Sequence, residues 1–125
     1  MNVMLVTDRI LRLYTDKEKF DSTIAFYENI QGTACEMRFD IAELDIKGAK
    51  IGSVLILSGD KESLDPVRDI QAIFYVDSLD EFEPWLKENG AVILHGPHSN
   101  AFGKNMMVRN PDGLMVEYFE AKTDN

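Results

Sequence analysis

The stretch NPDGLMVEYFE, residues 110–120, joins a turn to an apolar strand that carries one carboxylate. Its first four residues suit a type I turn, because Pro presets the second position and Gly tolerates the chain reversal. In the strand that follows, Met115, Glu117 and Phe119 are spaced by two, so their side chains point to one face. An ionised group on such a face must be paired, protonated or hydrated. Glu117 therefore requires a specific environment from the rest of the fold.

Length, charge and cysteine content exclude several classes of protein. The 125 residues, 45% of them hydrophobic, suffice for one globular domain with a packed core. A net charge of -9 opposes binding to phosphate backbones and anionic lipids, so we expect neither nucleic acid nor membranes as partners. The single Cys35 cannot form an internal disulfide, and MNVMLVTDR interrupts the apolar core that a signal peptide needs. We therefore expect a cytoplasmic protein.

A first helix signal follows the strand-like run ILRLY, residues 10–14. Thr15 and Glu18 have the spacing of a capping box, in which each side chain binds a free backbone N–H of the other residue. Apolar residues then recur at helical spacing, and Gly32 is a suitable stop. The pattern predicts a helix that begins at Thr15.

The same order recurs in the second half of the chain. The strand-like run AIFYV, Ala72–Val76, precedes Ser78 and Glu81, which again have capping-box spacing, and Gly90 is the stop. Pro84 lies inside this helix and removes one backbone donor, so we expect a kink or a loosened first turn.

Three strand candidates follow each predicted helix. They are residues 34–39, 42–46 and 51–57 in the first half and 91–95, 104–109 and 114–120 in the second. The sequence thus predicts one α+β domain over residues 1–125, with module one at about 8–58, a polar linker at about 59–69 and module two at about 70–121. Each βαβββ module is too small to bury its own sheet, so the two should pair, within one chain or between chains.

The duplicated βαβββ order, with STIAFYENIQG (22–32) and NPDGLMVEYFE (110–120), resembles the vicinal oxygen chelate superfamily. This superfamily groups glyoxalases, extradiol dioxygenases, fosfomycin-resistance enzymes and bleomycin-resistance proteins. The most specific parts of the likeness are the Phe26-Tyr27 pair and the turn that precedes Glu117. The resemblance implies a cup-shaped mixed sheet with helices on its outer face, a ligand on the concave face and a homodimer.

The resemblance also indicates which positions of the sequence would hold a metal ion. Metal-dependent members usually hold a divalent ion with His, His and Glu, and Glu117 matches the last of these positions. Gln71 stands where the second module would supply a His, and residues 8–12 and 55–58 contain neither a His nor a Glu. Because such a centre needs about three protein ligands, we expect no metal cofactor. The remaining candidate ligands are Glu117, Asp8 and His98; His98 and His95 lie in HGPHSNAFGK, which is interpreted as a loop.

A ligand site is expected on the face that carries Glu117. Gln71 shares a strand face with Ile73 and Tyr75, and one polar group among apolar neighbours is typical of ligand pockets. Phe102 is interpreted as a lid over the ligand or as an anchored loop aromatic. The predicted ligand-binding residues are Gln71, Tyr75, Phe102, Met115, Glu117 and Phe119. Glu117 is also the candidate catalytic residue, and the alternative is a structural carboxylate paired with Arg9, Arg12 or Arg109.

Three functions remain open at this point. The first is metal-independent binding of a small organic molecule, including resistance-type sequestration, which the acidic surface would favour for cationic or weakly basic ligands. The alternative is a metal-dependent lyase or dioxygenase of the glyoxalase type that uses Glu117 with atypical ligands such as Asp8, Gln71 or a loop histidine. The third is a degenerate domain kept for association with partners. Whether any reaction is catalysed stays open.

Overall fold

A computed structural model describes residues 4–123 of the chain. The elements are β1 (Val6–Thr15), α1 (Phe20–Gln31), β2 (Met37–Ile41), β3 (Ile46–Ile51), β4 (Val54–Ser58), α2 (Lys61–Leu64), β5 (Ala72–Val76), α3 (Leu79–Glu88), β6 (Val92–Asn100), β7 (Gly103–Arg109) and β8 (Met115–Ala121). Short 3-10 turns occupy Lys17–Lys19 and Ala42–Leu44. The βαβββ order occurs twice, which confirms the predicted α+β class. No described helix is both long and apolar enough to cross a membrane.

The chain divides into two compact units. Ile10–Asp69 forms the first unit, and the described residues of Met1–Arg9 and Ile70–Asn125 form the second. Strand β1 therefore contributes its beginning to the second unit and its remainder to the first.

In the first unit the strands follow the order β2-β3-β4-β1. The β2–β3 and β3–β4 pairs are antiparallel, whereas β1 and β4 are parallel. Helix α1 packs Phe20 and Ile24 against a cluster that includes Ile51, Val54 and Ile56. The spacing of four between Phe20 and Ile24 places both on one side of the helix, as the sequence predicted.

The start of α1 differs from the prediction. Strand β1 continues through Thr15, whose Cα pairs with Ser58 of β4, so Thr15 is part of the ladder and does not cap the helix. The chain then passes through the 3-10 turn, and α1 begins at Phe20 without a side-chain cap. The predicted capping box of Thr15 and Glu18 is therefore wrong. The stop at Gly32 is confirmed, because this residue has a φ of 64° and its N–H donates to Asn29 O at 3.3 Å.

Residues 42–46 do not form the predicted strand. Residues 42–45 reverse the chain between β2 and β3, and Ile46 is the first residue of β3, where it pairs with Ile41. Asp45 has a φ of 54°, a left-handed conformation that Asp tolerates better than most residues. The apolar Ala42 and Leu44 resemble strand residues, but the hairpin register places them in the turn.

The polar stretch 59–69 is more ordered than a bare linker. It contains α2, and Leu64 at the end of this short helix is buried against Ile46 and Leu57. Leu64 and the partly buried Val67 thus attach the segment to the core of the first unit.

In the second unit the strands follow the order β5-β8-β7-β6. The β5–β8 pair is parallel and the other two pairs are antiparallel. The beginning of β1 lies beside β5, where Thr7 Oγ1 donates to Tyr75 O at 3.3 Å.

Helix α3 covers one face of these strands. Ser78 caps it by accepting a hydrogen bond from Glu81 N at 3.4 Å, as predicted. Phe82 and Leu86 pack in a cluster with core residues of β5, β7 and β8, namely Ala72, Val76, Met106, Val108, Val116 and Tyr118. Pro84 stands inside the helix, which continues to Glu88.

Candidate functional site

The face of the second unit that points away from α3 carries Glu117. Because side chains alternate along a strand, the neighbours of the α3-facing core residues point to this other face. Cross-strand register aligns Ile73 with Glu117 and Glu117 with Met107. The surface, called the Glu117 face below, comprises Ile73 and Tyr75 of β5, Met115, Glu117 and Phe119 of β8, Asn105, Met107 and Arg109 of β7, and His95 and His98 of β6.

Glu117 is held by an amide that sequence reasoning missed. Asn105 Nδ2 donates to Glu117 Oε2 at 3.1 Å, and both side chains are half-buried. A hydrogen bond to a partly buried carboxylate offsets part of the cost of removing it from water. The signal was present in the sequence, since Asn105 lies two residues before Met107 and therefore shares its face.

Two aromatic rings lie beside this polar pair. Tyr75 and Phe119 are cross-strand partners, and their ring centroids are 5.2 Å apart at an interplanar angle of 65°. Such edge-to-face contacts are favourable for aromatic pairs. Both side chains are half-buried, so the Glu117 face combines one acidic group, one amide and an aromatic surface.

The other carboxylate of β8 has a structural role. Glu120 Oε1 accepts a hydrogen bond from Leu79 N at 2.8 Å, at the first residue of α3. A negative charge at a helix N-terminus stabilises the helix. Of the two acidic residues in this strand, Glu117 therefore is the candidate for function.

The remaining predicted ligand-binding residues lie at the ends of the strands. Gln71 immediately precedes β5 with an exposed side chain, and its backbone N–H donates to Met115 O at 2.9 Å. Met115 is half-buried at the start of β8. Phe102 occupies the turn between β6 and β7 with 51% of its surface exposed. The structure thus brings Tyr75, Glu117 and Phe119 together, with Gln71 and Met115 next to them and Phe102 in a separate turn.

The segment that contains the histidines is a strand and not the predicted loop. Strand β6 extends through Asn100 because it pairs with β7 along its length. His95 is the Cα partner of Met107, and His98 is the partner of Asn105. The two imidazole ring centroids are 4.3 Å apart. Gly96 and Pro97 suggested a loop, but the ladder accommodates them as an irregularity between the two histidines.

Comparisons with known proteins bear on the family and the fold of the chain. No family model and no curated protein matches the sequence. Among solved structures, an uncharacterized protein from Methanosarcina mazei shares 38% identity, with 97% of each chain covered and a TM-score of 0.87. The chain belongs to the family of this protein.

More distant structures identify the fold of the chain. Methylmalonyl-CoA epimerase from Mycobacterium tuberculosis has 13% identity and a TM-score of 0.73, with 98% of this chain and 93% of that chain covered. A Streptomyces coelicolor methylmalonyl-CoA epimerase variant in complex with 2-nitronate-propionyl-CoA has 14% identity and a TM-score of 0.62, with 93% and 99% covered. At these identities the likeness shows the fold alone. It confirms the α+β fold of the glyoxalase and bleomycin-resistance type that the sequence predicted.

The side chains that strand register and hydrogen bonding place beside Glu117 are not typical metal ligands. Its register neighbours are Ile73 and Met107, and its amide partner Asn105 is a poor ligand for zinc or iron. The candidate ligand Asp8 lies in β1, where its Oδ1 accepts from Arg9 N at 2.8 Å. Within residues 4–123, no three His, Cys, Asp or Glu side chains come together as a metal-binding group.

A separate cavity of about 660 Å³ lies in the first unit and contains none of the predicted site residues. Its charged side chains neutralise one another: Lys17 Nζ lies 3.0 Å from Asp45 Oδ2, and Arg38 Nη1 lies 2.9 Å from Asp21 Oδ1. Asp45 and then Asp60 raise the pKa of Lys17. Lys17 and Arg38 of this cavity are thus each paired with a carboxylate.

Proposed function

We propose that the protein is a member of the vicinal oxygen chelate superfamily that binds a small organic molecule on the Glu117 face without a metal ion. The observation that supports this most is the hydrogen bond from Asn105 to Glu117 beside the Tyr75–Phe119 ring pair. Ligand sites commonly combine apolar walls with a few placed polar groups. We further propose that both modules belong to one domain and that the chain forms a homodimer.

The chemistry of these side chains defines a ligand class. The oxygens of Glu117 accept hydrogen bonds, so the ligand should present an ammonium, amide or hydroxyl donor. Asn105 fixes the orientation of the carboxylate by binding Oε2. Tyr75 and Phe119 offer an aromatic surface for a planar or apolar portion of the ligand. The net charge of -9 favours the approach of cationic or weakly basic compounds.

A second candidate is an enzyme of the glyoxalase type. The fold similarity to methylmalonyl-CoA epimerases favours it. In such an enzyme Glu117 moves a proton next to a substrate carbonyl. A metal ion would require further ligands in addition to Glu117. Metal analysis of protein purified without chelator separates the two candidates. A stoichiometric divalent ion that disappears in Glu117→Ala would favour the enzyme.

A thermal-shift screen tests the binding proposal directly. Organic cations, antibiotics and acyl-CoA thioesters are added with and without divalent ions. A ligand at 100 times its dissociation constant should add about 2.7 kcal/mol to the free energy of unfolding.

Two variants locate the site of any ligand that is found. Glu117→Gln keeps the shape of the side chain and removes the charge, whereas Glu88→Gln makes the same change at an exposed position at the end of α3. We expect Glu117→Gln to weaken binding about tenfold or more, because a hydrogen bond to a charged group contributes about 1.5–3 kcal/mol. Glu88→Gln should leave the affinity unchanged. Equal affinities in wild type and Glu117→Gln would contradict the proposal.

A further inference from the structure

His95 and His98 are brought to one face of β6 by an irregularity in the strand. Residues three apart in a regular strand point to opposite faces. Here β6 uses three steps from His95 to His98, while β7 uses two from Met107 to Asn105. One extra residue therefore lies in β6 between the histidines, as in a β-bulge, and restores a common orientation. Both imidazoles consequently project from the Glu117 face, next to the half-buried pair of Asn105 and Glu117.

The distance between the two rings is close to that of a chelating pair. Each imidazole nitrogen lies about 2.0–2.1 Å from a bound zinc ion, so two rings on one tetrahedral ion have centroids about 5 Å apart. The observed separation is 4.3 Å, with 51° between the ring planes. Both side chains are exposed, so the surrounding protein leaves their rings room to turn toward a shared ion.

The surroundings also suit a cation. Both histidines of the sequence are in this pair, in a chain with a net charge of -9. Neutral imidazole nitrogen binds zinc, nickel and copper, whereas calcium and magnesium prefer oxygen ligands. Because no third His, Cys, Asp or Glu in the described part of the chain completes a metal group, the other positions would be filled by water or by a ligand.

We propose that His95 and His98 form a two-histidine site for a divalent transition-metal ion at the β6 edge of the Glu117 face. The site differs from the Glu117-centred metal site implied by the superfamily resemblance. It is independent of the proposed function, since ligand binding by Glu117 requires no ion in this pair. The expected order of affinity is copper above nickel and zinc, with calcium far below.

The test is a zinc titration of protein without a histidine tag, at a pH of about 8, where competition by protons is small. Isothermal titration measures affinity and stoichiometry, and NMR follows the imidazole signals, of which the sequence provides only two sets. The variants are His95→Ala, His98→Ala and both together, with Glu88→Gln at the exposed end of α3 as the control. Circular dichroism checks that each variant is folded, which we expect because both side chains are exposed.

We expect one zinc ion per chain, perturbation of both imidazoles, and a loss of affinity of about tenfold or more in each single histidine variant. Glu88→Gln should bind zinc like the wild type, and excess calcium should not compete. Two results would overturn the proposal: absence of saturable zinc binding in the wild type, or a double histidine variant whose zinc affinity stays within about twofold of wild type. Neither result bears on organic-ligand binding, so the two proposals fail separately.

Discussion

The last strands of the two modules, β4 and β8, have the same position in the βαβββ order and the same contacts on their helix side. Each is parallel to the strand that begins its module. Val54 and Ile56 of β4 belong to the core cluster beneath α1, and Val116 and Tyr118 of β8 belong to the cluster beneath α3. Burial on this side is a requirement of the fold, so both modules supply apolar residues there.

On the other side the two strands differ. Leu57 of β4 is 4% exposed and packs in an apolar cluster, with the half-buried Leu55 beside it. In β8 the corresponding side carries Glu117, which is half-buried and hydrogen-bonded to Asn105. The first module thus has leucine side chains on this side of its last strand, whereas the second module has a carboxylate there.

The strand that carries the charged side chain also differs between the two modules. In the first unit Arg12 of β1 is opposite Leu55, and in the second Ile73 of β5 is opposite Glu117. Arg12 is 7% exposed, and its guanidinium lies 5.6 Å from the ring centre of Tyr14. The duplicated backbone order therefore does not duplicate its polar positions, and functional residues must be assigned to each module separately.

The largest predicted effect comes from giving β4 the carboxylate of β8. Leu57→Glu should lower the free energy of unfolding by about 3–5 kcal/mol, because it places a charge between the apolar side chains of Ile46 and Leu64. Leu57→Met, which keeps the volume and apolar character, should cost less than about 1.5 kcal/mol. Urea unfolding followed by circular dichroism measures both. Similar losses in the two variants would show that this side of β4 tolerates charge as β8 does.

A smaller effect is predicted on the helix side of β8. Tyr118 donates its hydroxyl hydrogen to Asn110 Oδ1 at 2.8 Å and thereby attaches the Asn-Pro-Asp-Gly turn to the core. Tyr118→Phe should cost about 1 kcal/mol at neutral pH, since it removes this bond and leaves the Asn110 oxygen without it. Ile56, at the same position of β4, has no hydroxyl, so the first unit offers no counterpart of this bond.

Comparison of Tyr118→Phe with the wild type should also reveal a pH dependence of stability. Burial raises the pKa of Tyr118 above its ordinary value of 10.0, and the negative charge of Asp112 adds to this rise. The stability that this neutral phenol contributes is fully present below pH 10 and is lost as the pH rises through the raised pKa. Wild type should therefore lose more stability above pH 10 than Tyr118→Phe does. Parallel pH profiles of the two proteins would argue against a buried neutral phenol.

Local patterns predicted the fold well where one segment determined its own structure. The run Ala72–Val76 forms β5 with the predicted bounds, and the spacing of Met115, Glu117 and Phe119 gave the correct common face. The turn at 42–46 was missed because the β2–β3 register, a contact between separate segments, decides it. Pairing with β7 likewise made a strand of the segment around His95.

Part of the site was also beyond sequence reasoning. Asn105 was overlooked because its role depends on a cross-strand contact with Glu117 that is 12 residues away in sequence. The ring contact of Tyr75 with Phe119 depends on the parallel pairing of β5 with β8, 44 positions apart. Periodicity assigns a residue to a face, but strand register decides which residues on that face are neighbours.

The last prediction concerns the starts of the two module helices, and it includes the smallest effect, that of Glu18→Ala. Ser78→Ala should cost about 1 kcal/mol, because Ser78 Oγ accepts the Glu81 N–H at the start of α3. Glu18→Ala should change stability by less than about 0.5 kcal/mol, since Glu18 lies exposed in the 3-10 turn before α1. Thermal and urea unfolding measure the difference. A loss in Glu18→Ala as large as that in Ser78→Ala would mean that the capping box forms at α1 as well, and that the two helices begin alike.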